Sequence, residues 1–191
     1  MPKLGMEPIR RDALVKAAIA EIGAVGSLDV TVSQIAQRAG MSSGLAHHYF
    51  GGKKQIFEAA MRHILREYAD EVRSALAKAT THNDRAEAII HANFAPSCFT
   101  PETISAWMTF YVRAQNDASA LRLLRLYQGR LRSNLTHALR GRCADPVLAA
   151  DTLAALIDGF YIRAALAQRG GANDAAQMAV NMLHVLTAPT P

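Results

Sequence analysis

The sequence predicts an all-α protein of about nine helices, with a three-helix N-terminal headpiece followed by a larger helical region. Apolar residues recur every three or four positions in almost every patterned segment. The alternation typical of strands is not sustained anywhere in the sequence. Capping residues and glycines divide the patterned segments into helices of ordinary length.

The composition is that of a water-soluble protein with a sizeable core. Half of the 191 residues are hydrophobic, yet no apolar run approaches the ~20 residues of a membrane span. Arg10, Arg11, Asp12 and Lys16 interrupt residues 1–20, which therefore do not resemble a secretory signal. The two cysteines are far apart and make no metal-binding pattern. We expect a cytoplasmic protein that has no metal or other cofactor.

The first helix is predicted over residues 9–25 and ends at Gly26. Residues 31–53, TVSQIAQRAGMSSGLAHHYFGGK, then predict two short helices joined by a glycine turn. Thr31 and Gln34 have the spacing of a capping box. Gly40 suits the left-handed position that ends a helix, and Ser42 can cap a second helix through Tyr49.

Two such helices around a glycine turn are typical of a helix-turn-helix, whose second helix enters the DNA major groove. The alternative is an ordinary helical hairpin within a bundle. Charge favours DNA. Residues 1–66 hold nine Lys/Arg and five Asp/Glu, a net of +4, whereas residues 67–191 hold twelve and eleven, a net of +1. The basic excess coincides with the motif, as phosphate binding requires.

The candidate DNA contacts are polar or small residues in this segment, because such residues can hydrogen-bond base edges and phosphates or allow close approach. They are Thr31, Ser33, Gln34, Gln37, Ser42, Ser43, Gly44, His47, His48, Tyr49 and Lys53. Lys53 opens the next helix, where free backbone N–H groups can also hold phosphate. Arg10 and Arg11 could add phosphate contacts. For the two histidines, the alternatives are plain exposure or metal binding, and adjacent helical positions disfavour a shared metal.

The remaining segments predict six more helices, beginning with a long one over residues 53–78 of roughly 38 Å. The others are expected over 84–95, from Pro101 to about 115, over 117–140, from Pro146 to about Arg169, and from a cap at Asn173 to about 186. Gly170–Gly171 and Pro189 follow the last two.

The last two helices are apolar around most of their circumference, so each must be buried on more than one side. We expect a homodimer through residues 146–187 with two-fold symmetry. The alternative is a deep core within one chain.

An aromatic stripe marks a candidate ligand pocket. Trp107, Phe110 and Tyr111 share one helical face, and Phe94 and Tyr127 could join them. Aromatic faces attract quaternary ammonium ions, and Glu102 or Asp117 could supply an anion. Asp158 could do so as well, but a structural role within the dimer contact is favoured for it. The alternative is that the stripe is ordinary core.

Taken together, these features resemble the TetR family of bacterial one-component regulators. The resemblance rests on Gly26, Thr31, Ile35–Ala36, Ala39–Gly40, Ser42, Gly44, Tyr49–Phe50 and Lys53. It implies a DNA-binding domain at residues 1–52 and an effector-binding and dimerisation domain at 53–191. The sequence departs from the family at His47, where many members carry a tyrosine that touches phosphate.

Two further segments, PKLGMEPIRR and LIDGFYIRAAL, are similar to the branch of the family that controls glycine betaine synthesis. That resemblance implies a repressor of choline uptake and oxidation genes, released from double-stranded operator DNA by choline. The alternative is a regulator of other genes, such as efflux genes, that responds to another hydrophobic or cationic molecule. The sequence contains no catalytic motif, so a helical enzyme and a helical adaptor are weaker hypotheses.

Overall fold

The structure is a computed structural model that describes residues 6–27, 29–166 and 171–188. Within these ranges the chain forms nine α-helices and no strand, which confirms the predicted fold class. The helices are α1 Met6–Val25, α2 Val32–Arg38, α3 Ser43–Phe50, α4 Lys53–Lys78, α5 His82–Asn93, α6 Pro101–Ala114, α7 Ala118–Leu139, α8 Pro146–Ala165 and α9 Ala172–Thr187. The start of PKLGMEPIRR, the predicted end of helix eight at Arg169–Gly170, and Pro189 lie outside the described residues.

Three helices begin two or three residues earlier than predicted, because a helix cap and first turn need not share the apolar periodicity of the helix that follows. Helix α1 begins three residues earlier than predicted. Helix α5 begins at His82, not 84, because Thr81 caps it: its hydroxyl accepts from the Asp84 N–H at 3.1 Å, while the Asp84 carboxylate accepts from the Thr81 N–H at 2.9 Å. Helix α9 begins at Ala172, and Gly171, rather than Asn173, occupies the capping position.

The described residues cluster into two compact units, of which the first contains α1–α3, α4 up to Ile64, and Pro101–Leu121. Helix α6 packs along α1 in this unit. The fully buried side chains of its core include Leu14, Ile22, Ile35 and Ile56. The predicted domain boundary at residue 52 divides the chain by sequence position alone. The compact unit instead includes α6, which is distant in sequence but packs on the headpiece.

A glycine allows α1 and α6 to approach closely. A Cβ added to Gly23 would lie 2.6 Å from the Glu102 Cα, so the backbones would have to separate. We expect Gly23→Ala to lower the free energy of unfolding by ~1–3 kcal/mol, the usual cost of overpacking. Gly129→Ala is the matched control, because its added Cβ meets nothing within 4 Å and alanine favours the helix by ~0.5–1 kcal/mol. Urea unfolding measures both, and equal stability of the two variants would contradict the expectation.

An ionic cluster at the α6–α7 corner of the first unit holds the start of α4. Arg113 and Lys54 lie 2.8 Å and 3.5 Å from the Asp117 carboxylate, and the Ser119 hydroxyl bridges Asp117 and Glu58. Hydrogen bonds from Ser119, then from the Ala120 N–H, hold the pKa of Asp117 well below its usual range. Asp117 is therefore committed to this corner.

The second unit contains α4 from Leu65, α5, and the chain from Arg122 onward. Its core includes Ile89, Leu131, Leu135, Leu153 and Leu183, none more than 1% exposed. Burial also raises the pKa of the Cys98 thiol to about 11, so this cysteine is a neutral, space-filling residue.

Helices α8 and α9 of this unit are buried on one side and expose large apolar side chains on another. The exposed set, called the α8–α9 face, is Leu148, Ile162, Leu166, Met178 and Val185. Each of these residues is at least 50% exposed. Exposed apolar patches of this kind mark association surfaces, so a core within one chain accounts for only part of the apolar character of these helices.

Candidate nucleic-acid interface and aromatic clusters

The segment from Thr31 to Gly51 forms the predicted helix-turn-helix through local hydrogen bonds. The Thr31 and Gln34 capping box is present. Gly40 has φ 67°, and the Met41 N–H returns to the Ala36 carbonyl at 2.8 Å, closing a left-handed helix end. The Ser42 hydroxyl then accepts from the Leu45 N–H at 3.2 Å and starts α3.

Contacts from α1 and α2 fix the position of α3. Ala46 and Phe50 of α3 are buried, and the Arg11 guanidinium donates to the Tyr49 carbonyl at 2.6 Å and lies 4.6 Å from the centre of the Phe50 ring. Arg11 therefore supports the C-terminal end of α3, a role that the sequence did not reveal. The Ser43 hydroxyl donates to the Ser33 hydroxyl at 3.0 Å, which joins α3 to α2.

The outer surface of the motif is polar. Gly44, His47 and His48 are exposed on one face of α3, and Ser33, Gln34 and Gln37 are exposed on α2. Thr31 and Ser42 are exposed too, although their hydroxyl groups cap the helices. Tyr49 and Ser43 are half-buried. Six residues of the predicted set therefore face outward, although Ser33 and Gln34 also make hydrogen bonds that shape the motif. The other four shape it, and Lys53 lies beside them in sequence.

The first turn of α4 combines two features that favour an anion. Lys53 and Lys54 are both exposed there, although Lys54 also lies 3.5 Å from the Asp117 carboxylate, and within the described residues of that turn there is no acidic side chain. Lysine side chains at the positive end of a helix dipole are unfavourable when no anion is present. A phosphate bound there would be stabilised by the lysine charge and by the free backbone N–H groups of the first turn. His47 lies nearby in sequence, and its Nδ1 is 3.4 Å from the Gly51 carbonyl oxygen.

We expect Lys53→Ala to weaken duplex binding on every sequence and to reduce the salt slope by about one unit, because one phosphate contact is lost. Lys78→Ala is the matched control, since Lys78 is exposed on the same helix but at its other end. Fluorescence anisotropy over a salt series measures both. An equal loss in the two variants would point to diffuse charge attraction and contradict a phosphate contact at Lys53.

The five aromatic residues predicted as ligand contacts do not form one cluster within either unit. Trp107, Phe110 and Tyr111 belong to the first unit, and Phe94 and Tyr127 to the second. The Trp107 ring lies 5.7 Å from Phe110 and 5.6 Å, edge-on, from Tyr111.

Phe110 packs toward the headpiece. It lines a crevice with Ile22, Phe57 and Met61 that has about 10 Å³ of free space, room for about one water. Its position therefore fits a core role, while Trp107 and Tyr111 remain the candidates for direct ligand contact in the first unit.

A second aromatic cluster surrounds Asn93. The Tyr127 hydroxyl donates to its side-chain oxygen at 3.2 Å, and the Tyr161 hydroxyl donates to its carbonyl at 2.5 Å. Tyr68 packs edge-on against Tyr127 at 5.2 Å, and burial raises the pKa of Tyr68 well above its usual value. The sequence did not reveal Asn93, Tyr68 and Tyr161 as members of this cluster; the available signal was a lone amide that ends the apolar face of α5.

A capped helix-turn-helix with an exposed polar face and a lysine-rich helix start, attached to a helical unit with an unpaired apolar face, defines the class of one-component DNA-binding regulators. The chain belongs to the TetR family. Residues 14–60 match the profile of bacterial regulatory proteins of the tetR family, and residues 82–188 match that of the BetI-type transcriptional repressor C-terminal region.

Known proteins agree with this assignment. The HTH-type transcriptional regulator BetI of Brucella anthropi is 52% identical over 168 residues, which cover 87% of each chain. A regulator from Pseudomonas aeruginosa PAO1 has the same fold, with a TM-score of 0.81, 24% identity and coverage of 97% of this chain and 93% of that one. A regulator from Saccharomonospora viridis, solved in complex with choline, also has this fold. Its TM-score is 0.82 at 21% identity, and the match covers 91% of this chain and 95% of that one.

The protein is thus a DNA-binding transcriptional regulator with a BetI-type C-terminal region, and it is not an enzyme. None of the helices in the described part of the chain is long and apolar enough to cross a membrane.

Proposed function

We propose that this regulator represses genes of choline uptake and glycine betaine synthesis, and that choline releases it from its operator. The observation that carries the proposal is the 52% identity to BetI along 87% of both chains. The BetI-type match over residues 82–188 extends that likeness to the region expected to bind the effector. The choline complex of the Saccharomonospora viridis regulator supports a fold that can accommodate this ligand.

For DNA, we propose that residues 1–52 form the binding domain and that the exposed residues of α2 and α3, with Lys53, contact the operator. Gly44, His47 and His48 share the exposed face of α3 and are the candidates for base contacts. Residues 53–191 are proposed to bind the effector and to form a homodimer through the α8–α9 face.

For the effector, we propose that Trp107 and Tyr111 make direct contact with the quaternary ammonium group. Each aromatic face contributes ~0.5–2 kcal/mol to such a cation. The same α6 helix packs on α1, where Gly23 lies against Glu102. A shift of α6 on ligand binding would therefore move α1 of the headpiece directly.

The decisive experiment is a titration of labelled duplex from upstream of the regulator's own gene, with and without choline. We expect tight, salt-dependent binding that choline weakens by about 5–150-fold, while ethanolamine, which lacks the three methyl groups, has little effect. If the duplex is bound but only another hydrophobic cation releases it, the effector assignment is wrong. If no duplex is bound at low salt, the assignment of the DNA-binding residues is wrong as well.

A further inference from the structure

We propose that a basic cleft in the second unit binds an organic oxyanion, either a carboxylate or a phosphate monoester on an apolar stem. The cleft is an opening of about 430 Å³. Its basic lining is Arg85 of α5, Arg132 of α7 and Arg140 of the turn after α7, and its apolar lining is Leu76, Ile89 and Val147. This ligand is distinct from choline, because a basic lining repels a cation.

The charges in the cleft are unbalanced. Three guanidinium groups line it, and its described lining contains no carboxylate. Arg132 is neutralised from outside the lining by Asp151, with contacts of 2.6 and 3.0 Å to the two carboxylate oxygens. Among the described residues, no carboxylate pairs with Arg85 or Arg140, and Arg85 is half-buried. A guanidinium held partly away from water without a counter-ion is costly, so an entering anion would be stabilised.

The pair of Arg132 and Asp151 also shows how an oxyanion can bind to an arginine of this cleft, because both carboxylate oxygens accept from one guanidinium. A guanidinium offers two parallel N–H groups to the two oxygens of a carboxylate or phosphate. Arg85 and Arg140 offer the same donors without a protein acceptor. The hydroxyl groups of Ser133 and Thr136 line the same cleft and can donate to further oxygens.

The apolar side chains indicate that the ligand is more than an inorganic ion. Leu76, Ile89 and Val147 provide an apolar wall, and an added Cβ at Gly129 would meet no atom within 4 Å, so α7 leaves open space there. A short alkyl or aryl stem would bury apolar surface against this wall while its oxyanion meets the arginines. A nucleic acid backbone could pair its phosphates with the arginines, but it has no apolar stem to bury against the apolar side chains.

Calorimetry on the full chain at low salt tests the proposal with four probes. Hexanoate and hexyl phosphate carry the stem and the oxyanion, hexanol carries only the stem, and inorganic phosphate carries only the charge. We expect one or both amphipathic anions to bind, hexanol to give no heat, and inorganic phosphate to bind more weakly. Tighter binding of hexanoate identifies a carboxylate, and of hexyl phosphate a phosphate monoester. No binding of either at millimolar concentration overturns the proposal.

Variants locate the binding site. Arg85→Gln and Arg140→Gln should each weaken the better probe about tenfold or more, the value of one charge-assisted hydrogen bond. Arg130→Gln is the control, because Arg130 is exposed on α7 and does not line the cleft. An equal loss with Arg130→Gln would overturn the site, as would a loss of operator affinity in Arg85→Gln similar to that of Lys53→Ala, since the cleft would then contact DNA.

Discussion

Ile162→Asp should convert the regulator from dimers to monomers and weaken operator binding by about 100-fold or more. Ile162 is 50% exposed on the α8–α9 face, and Gly159 lies one turn before it, where an added Cβ would meet nothing within 4 Å of its own chain. That open space allows a second helix to approach closely. An aspartate there would be desolvated without a partner when two chains associate.

The effect on DNA follows from multivalency. A dimer holds two recognition helices, and binding of the second half-site is intramolecular once the first is bound, which gains 10²–10⁴-fold in overall affinity. Sedimentation measures the assembly state, and anisotropy measures operator affinity. Leu126→Asp is the matched control, because Leu126 is 53% exposed but lies on α7. A wild-type chain that is monomeric at micromolar concentration, or an Ile162→Asp variant that remains dimeric, would contradict the proposed interface.

Trp107→Leu should abolish the response to choline while operator binding stays close to wild type. Trp107 is the single tryptophan of the chain, so in the wild type a choline titration followed by intrinsic fluorescence reports directly on this side chain. Calorimetry measures choline affinity in the variant, where the fluorophore is gone. Leucine retains much of the buried volume, which limits the loss of stability that alanine would cause.

Two controls separate a ligand contact from a packing role. Phe110→Leu should lower stability but leave choline affinity nearly unchanged, because Phe110 is buried and lines the same crevice as Phe57 and Met61. Linkage provides a second check: operator DNA must weaken choline binding by the same factor by which choline weakens operator binding. Wild-type choline affinity in both Trp107→Leu and Tyr111→Leu would remove the pocket from this stripe, and Tyr127 and Phe94 of the second unit would be the next residues to test.

The helix-turn-helix was predictable because its determinants are local. The capping box of Thr31 and Gln34, the left-handed Gly40 and the Ser42 cap each join residues within three to five positions, a range that sequence spacing describes directly. The same reason explains why the predicted start of α8 at Pro146 is confirmed: the Asp145 carboxylate, just before it, accepts from the N–H groups of residues 147 and 148.

The aromatic stripe shows where such local arguments stop. Helical spacing correctly placed Trp107, Phe110 and Tyr111 together, but it could not show that Phe110 faces α1 and α4. Nor could it show that Phe94 and Tyr127 belong to another compact unit. Those outcomes depend on which helices pack together, and periodicity within one helix contains no information about its neighbour.

The sequence by itself determined the helical class, the position of the DNA-reading motif and the apolar character of the last two helices, since these follow from interactions within one or two turns. Tertiary structure alone decided that Arg11 supports α3 across 38 positions of sequence, that α6 packs on the headpiece, and that arginines from α5 and the α7 region share one cleft. These features join residues far apart in the chain, and only the packing of the folded core brings such residues together.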